Sequence, residues 1–448
     1  MANQPSSDRH RLISALIPSI SIQPSAPSLK PILNHLAAPA PWFLLLTFYG
    51  FTLSGPFSLG KLVITALIGL WLVLAPTPLP LRVSPWPAAY LAAITLTTLT
   101  SSDLWVSVFS LYGTYQAGLL AAVCLIPYWA CVTTSQRSGI EQGIRWGTAL
   151  TGILAVAQYA GIAGATPFPL PLHRVYSTMG SPVYLGAAIA LCFPFARTPT
   201  EKVLALATLW MTGSRGAWMA VAAGAVYMRW PTISARVRVW GLTAISAGLV
   251  AAMYLRPPSD LGRVVTWAAA VDAFHLRPLV GWGAGNFLMV AALWRNPAWV
   301  EVYGVTTQDH AHNLFLEAAS TSGIVGLSTL CGLLWTMWIR SDRVARSSLL
   351  GVFIVGLLNP LPLVVKALCL ALVASSPSHL QPAIRSSPVI SRIVKIYFIL
   401  AFFAVAWLVH LDRVMTFYGD TPWSFSSVKA AYYVGIIKEV VTREKFKF

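Results

Sequence analysis

The stretch Ser322-Gly323-Ile324-Val325-Gly326-Leu327-Ser328-Thr329-Leu330-Cys331-Gly332-Leu333-Leu334-Trp335-Thr336-Met337-Trp338-Ile339 carries no charged side chain and is closed by Arg340, Asp342, Arg343 and Arg346. A helix needs about 20 such residues to cross the hydrocarbon of a bilayer, somewhat fewer if short. Runs of the same kind recur on both sides of it, near 40–57, 59–75, 86–101, 113–133, 145–163, 182–196, 202–213, 215–230, 237–255, 347–374 and 394–411. Together they predict an all-α fold: a polytopic transmembrane helix bundle of about 12 crossings. The run at 347–374 contains Asn359-Pro360-Leu361-Pro362. It reads as one kinked crossing or as two half-helices. Short Gly-containing runs such as Ala217 to Tyr227 suit helices packed among other helices.

Composition points the same way. The chain is 56% hydrophobic and 10% charged, whereas a soluble domain carries about a quarter charged residues. A surface so poor in charge must be covered by lipid. The net charge of +17 does not indicate nucleic acid, because the basic residues form no stripe or patch. They sit in small groups between apolar runs: Arg137 and Arg145, Arg197 and Lys202, Arg229 with Arg236 and Arg238, Arg340 with Arg343 and Arg346. That is the pattern of cytoplasmic loops. The cysteines Cys124, Cys131, Cys192, Cys331 and Cys369 all lie in apolar runs without a CxxC pair and read as small buried hydrophobes.

With the N-terminus in the cytoplasm, the basic loops fall inside. The opposite segment 102–112 has no Arg or Lys, and 164–181 has Arg174 alone. The expected organisation is a disordered cytoplasmic tail at 1–38, nine crossings over 39–255, an extracytoplasmic loop at 256–321 between crossings 9 and 10, the last crossings over 322–411, and a basic C-terminal tail at 412–448. Both termini are then cytoplasmic. The long loop is too polar to span and too aromatic for a slack linker, which predicts short helices over the mouth of the bundle.

Three clusters on that outer side carry chemistry. Thr212-Gly213-Ser214-Arg215-Gly216 joins two short crossings. It reads either as a tight helix–helix turn or as an anion site, since an Arg kept there runs against the positive-inside bias. Arg263 and Trp267 lie four apart and share one helix face. Gly281-Trp282-Gly283-Ala284-Gly285-Asn286 lacks the strand, Lys-Ser/Thr pair and ribose-binding acid of a nucleotide loop, and is expected to be a turn that lets two backbones approach. Asp309-His310-Ala311-His312-Asn313-Leu314-Phe315-Leu316-Glu317 precedes a crossing. Histidines two apart on a helix point in different directions and no HExxH is present, so no metal is expected. A His there suits proton transfer or the holding of a helix start.

The order of these segments resembles the O-antigen ligase/polymerase family. The resemblance runs over about 105–340 and rests on Ser110 to Leu120, Ser177-Thr178-Met179-Gly180-Ser181-Pro182, Thr212–Gly216, Arg263…Trp267, Pro278–Gly283 and His312-Asn313-Leu314-Phe315-Leu316-Glu317…Gly323. Members often carry Gly-Asn-Pro where this chain has Gly180-Ser181-Pro182. The resemblance implies a cofactor-free, metal-independent glycosyltransferase of the bacterial inner membrane. Its donor would be an undecaprenyl diphosphate-linked glycan and its acceptor a glycan or a lipid-A-core-like molecule. The family's essential arginines fall on Arg215 and Arg263 and its essential histidine on His312, with Arg174 a looser match; Arg174 and Asn313 are expected to join the two arginines in binding the diphosphate or glycan.

Those residue types suit the reaction. Without a metal, guanidinium forks are the natural partners of a departing diphosphate. Arg215 and Arg263, helped by Arg174, would hold it while His312 takes the acceptor proton from the opposite side, giving inversion. A lipid-linked peptidoglycan polymerase, with Asp260 or Asp272 as its acid, and a flippase or transporter of lipid-linked sugars are the alternatives. A transporter needs charged residues along the crossings, where Lys366 is the main exception to a nearly charge-free interior.

Overall fold

The computed structural model describes residues 37–48, 57–74, 85–110, 117–162, 174–234, 257–293, 308–377 and 388–417, together with 236, 241 and 243. Residues 1–36 of the expected N-terminal tail, residues 418–448 of the expected C-terminal tail and nearly all of the expected crossing at 237–255 lie outside these residues. Fifteen α-helices are described: α1 Ala40–Thr47, α2 Ser58–Leu74, α3 Pro85–Leu99, α4 Leu104–Phe109, α5 Gly118–Ala130, α6 Arg137–Tyr159, α7 Pro182–Cys192, α8 Pro199–Thr212, α9 Arg215–Arg229, α10 Pro257–Leu276, α11 Phe287–Leu293, α12 Leu314–Arg340, α13 Arg343–Gly356, α14 Leu363–Ala374 and α15 Pro388–Phe417. The expected all-helical class is observed, with no strand among the described residues.

By length and composition, α12 alone among the described residues qualifies as a full crossing, and α5 with Thr134–Tyr159 qualifies as a pair bent by 93°. The other expected crossings that are described form mostly shorter helices. The run 347–374 resolves into two helices, α13 and α14, separated by Leu357–Pro362. Proline at 360 and 362 cannot donate to a helical ladder, which ends α13 and leaves Pro362 as the N-cap of α14.

Local sequence sets many helix ends. Thr198 and Glu201 form a reciprocal capping box ahead of α8, which stops at Gly213 with φ 58°. Asp342 accepts from Ala345 N–H at 2.8 Å to start α13. Helix α9 packs along α13, and small residues allow the approach: a Cβ on Gly224 would lie 3.0 Å from Ser347 Oγ. Trp42, Tyr128, Ile140, Ile144 and Leu185 are almost wholly enclosed in the main apolar core.

Two readings of single residues change. Cys331 is exposed rather than buried. Lys61 on α2 is a buried cation that the sequence reading did not single out; its Nζ donates to Leu45 O at 3.0 Å and Leu46 O at 2.9 Å. These carbonyls are left over at the C-terminal end of α1, so the ammonium serves as a cap from another helix.

The basic loops gather at one end of the bundle, where acids bind them. Arg137 pairs with Asp342 and Glu141, each at 2.8 Å, and Arg197 pairs with Glu141 at 2.8 Å. Arg145 holds Glu201 at 2.6 Å, and Arg343 donates to Met228 O at 2.8 Å. These contacts join the start of α8 and the end of α9. The other ends of these two helices meet at Thr212–Arg215, about 20 Å away for a 15-residue helix.

The loop after α10 is ordered. Helix α10, at 20 residues, is longer than the short helices expected there. The glycine run does what was expected of it. At Gly323 (φ 63°, ψ −164°) α12 breaks, and Pro278–Gly283 docks into the gap. Trp282 N–H donates to Ser320 O at 3.2 Å, Gly283 N–H to Thr321 O at 2.8 Å, and Ile324 N–H to Pro278 O at 2.7 Å. The backbone groups released by the break are thus satisfied by another segment.

Candidate functional site

At the end opposite the ion pairs, the turn Thr212–Gly216 is held by Arg174, whose Nε donates to Thr212 O at 2.7 Å. Gly213 leaves room for that side chain, since a Cβ there would lie 3.3 Å from Arg174 Nε. Arg215 is the first residue of α9. A cation at the positive end of a helix is electrostatically disfavoured unless an anion joins it.

Arg263 lies on α10, partly buried, with Nη2 3.5 Å from Asn359 Oδ1. Trp267, one turn further on, has a buried indole Nε1 with no hydrogen-bonding partner among the described residues. The spacing of four noted in the sequence is realised on a helix.

His312 and Asn313 stand at the start of α12. Asn313 Oδ1 accepts from Phe315 N–H at 2.9 Å and Leu316 N–H at 3.1 Å, so it is the N-cap. Its Nδ2 donates to Leu357 O at 3.0 Å. His312 has φ 52°, a conformation that L side chains other than Asn, Asp and His seldom adopt and that recurs where function fixes the backbone. Its Nε2 lies 3.4 Å from Gln308 Oε1. Its Nδ1 is buried without a partner among the described residues.

The imidazole is held neutral. Burial is the largest cause, followed by the neighbouring His310 and then Arg263; Asp309 opposes them, and the pKa falls from 6.5 to about 4. Burial likewise lowers His310, with Asp309 opposing through its charge and a contact of 3.1 Å. The two imidazole rings stand 6.0 Å apart at 86°.

The residue that the sequence reading missed is Asn359. It is 4% exposed and sits in the Leu357–Pro362 break between α13 and α14. Besides facing Arg263, its Nδ2 lies 3.4 Å from where a Cβ on Gly216 would be. The same break supplies Leu357 O to Asn313. Three elements far apart in sequence, bearing Arg215, Arg263 and His312-Asn313, thus meet one hinge. The Asn-Pro-Leu-Pro interruption was the signal available in the sequence, but it marked a break and not what the break would touch.

Beside the hinge is a cavity of about 590 Å³ between α3, α5, α12, α13 and α14. Its wall is mainly apolar, including Ile94, Leu314, Phe315 and Leu361, with Glu317 and Lys366 among its charged groups.

Residues 202–331 match the family model described as O-antigen ligase, a family of bacterial membrane proteins. The match bears out the resemblance read from the motifs over a narrower range. It takes in Arg215, Arg263, His312 and Asn313, and leaves Arg174 and Asn359 outside. No curated protein matches the chain. The family match supports lipid-linked glycan transfer as the general class of reaction.

Proposed function

We propose that this chain transfers a glycan from an undecaprenyl diphosphate carrier to an acceptor hydroxyl at the extracytoplasmic face of the bacterial inner membrane, as an O-antigen ligase or polymerase does. The observation that carries the reading is the meeting of the Arg215 turn, Arg263 and His312-Asn313 on one hinge at Asn359. It is joined by the position of that hinge at the end of α8 and α9 away from the basic loops. A bundle of about twelve crossings with both termini cytoplasmic is the topology proposed with it.

In this reading Arg215 and Arg263, with Arg174 in support, bind the diphosphate oxygens and neutralise the charge that grows on the bridging oxygen. The burial that keeps His312 unprotonated leaves it able to accept a proton. The acceptor oxygen gives its proton to His312 and forms a bond to the anomeric carbon. The bond from that carbon to the diphosphate oxygen breaks, and its electron pair leaves with undecaprenyl diphosphate. Attack from the face opposite the leaving group inverts the anomeric configuration. The arginines supply the positive charge in this scheme, so no metal is assigned to it. The apolar cavity beside Leu314 and Phe315 suits the hydrocarbon chain of such a donor.

Purified protein in detergent, given a glycan on undecaprenyl diphosphate and an acceptor, is expected to release undecaprenyl diphosphate and form an inverted linkage. Arg215→Ala, Arg263→Ala and His312→Ala are each expected to abolish release at normal protein abundance. Near-normal turnover by His312→Ala would remove the base. Absence of turnover in detergent, with movement of the intact donor across vesicles, would replace the enzyme by a transporter.

A further inference from the structure

Glu317 lies one turn inside α12 and takes no part in the reaction above. Its carboxylate does not point into the helix face. It reaches back across the cap, and Oε2 accepts from Ala311 N–H at 2.5 Å. Ala311 is fully buried and adjoins His312. The base therefore sits between two tethers: Glu317 holds the peptide before it, and the Asn313 cap holds the residue after it. Without both, a non-glycine residue at φ 52° has every reason to relax toward the commoner region of backbone space.

We propose that Glu317 is a positioning residue for His312, fixing the left-handed turn that keeps the imidazole buried and aimed. The proposal rests on His312 being the base and deepens that reading. A buried carboxylate is costly unless other groups compensate it. The groups that face it are the Ala311 amide, Lys366 of α14, and Asp309 in its own segment, whose like charge opposes it. Tyr184 of α7 feels the charges of both acids, and His310 feels Asp309 and Lys366. Lys366, the cation that stood out from an otherwise uncharged interior, thus lies within electrostatic reach of Glu317. Both Glu317 and Lys366 lie on the wall of the cavity beside the hinge.

The reach of the side chain can be separated from its carboxyl chemistry. Glu317→Gln keeps an acceptor oxygen at the same reach and replaces the carboxyl group by an amide. Glu317→Asp keeps the carboxyl group and falls one methylene short of Ala311. The reach is what the proposal requires, so Glu317→Gln is expected to retain turnover within about threefold. Glu317→Asp and Glu317→Ala are expected to lose kcat by tenfold or more, with donor KM nearly unchanged. In those two variants the His312 imidazole leaves its buried position, and its titration, followed by NMR of histidine-labelled full-length protein and assigned with His312→Gln, is expected to rise from about 4 toward 6.5.

A Glu317→Asp protein with the wild-type His312 titration and wild-type kcat would overturn the clamp, as would a Glu317→Gln protein that behaves like Glu317→Ala. If wild-type protein transfers no glycan but the His312 titration still moves in Glu317→Asp, the clamp stands and the reaction assigned above falls.

Discussion

Arg263 on α10 and Asn359 in the α13–α14 hinge face each other with Nη2 and Oδ1 3.5 Å apart. That distance is at the long limit for a hydrogen bond. An amide oxygen so placed orients a guanidinium without neutralising it.

The first prediction follows from the neutrality of that amide. Asn359→Asp puts a carboxylate beside Arg263, where it competes with phosphate oxygens for the same donors. Donor KM is expected to rise on the order of tenfold, about 1.4 kcal/mol of binding. Asn359→Ala is expected to have a smaller effect. Steady-state kinetics with varied donor would show it, and equal KM values for wild type and Asn359→Asp would remove Asn359 from the binding surface.

The guanidinium shape is tested separately from its charge. Arg215→Lys and Arg263→Lys keep the charge but lose the planar fork. Each is expected to lower kcat/KM on the order of 100-fold, the scale of removing one donor from a developing oxyanion. Lysine variants that turn over like wild type would mean that a point charge is enough.

The pH dependence has a definite sign. His312 is lowered from 6.5 to about 4, so the acidic limb of kcat/KM in the free enzyme is expected near pH 4. A bound diphosphate brings negative charge toward the ring and favours its protonated form, so the limb in kcat is expected at higher pH. In stability, the unfolded chain binds a proton between pH 6.5 and 4 that the folded chain refuses. His312 therefore leaves stability unchanged above pH 6.5 and reduces it progressively as pH falls toward 4. His310 contributes with the same sign. An activity limb near pH 6.5 in both profiles would count against the buried base.

Two glycine substitutions separate crowding from backbone preference. Gly281 has φ 66°, and a Cβ there would fall 2.4 Å from the carbonyl carbon of Thr321. Gly281→Ala is expected to destabilise by about 3 kcal/mol or more, through overpacking added to a disfavoured φ. Gly161 has φ 70° with nothing within 4 Å, so Gly161→Ala meets the backbone penalty alone, about 1 kcal/mol. Thermal unfolding in detergent would rank them; equal losses would mean that the loop does not dock into α12 so closely.

Much of this architecture was legible because it depends on neighbours in the chain. Apolar runs closed by arginines mark helices, and Asn359-Pro360-Leu361-Pro362 marks the break between α13 and α14. Each signal acts within a turn of helix, so a one-dimensional reading finds it. Arg215, Arg263 and His312 came from the order of motifs, which resembles that of the O-antigen ligase family.

What the tertiary structure alone decided are relations between distant residues. Nothing near Asn359 announces that it will meet Arg263 and Gly216, and nothing near Gly323 says that Pro278–Gly283 will fill the break it makes. The chemical state of His312 is of the same kind. An imidazole alone in water titrates near neutrality, and only the folded surroundings, by excluding water and bringing His310 and Arg263 close, hold it neutral down to about pH 4. Local steric preference writes helices into a sequence, whereas desolvation and charge depend on whatever the whole chain brings near.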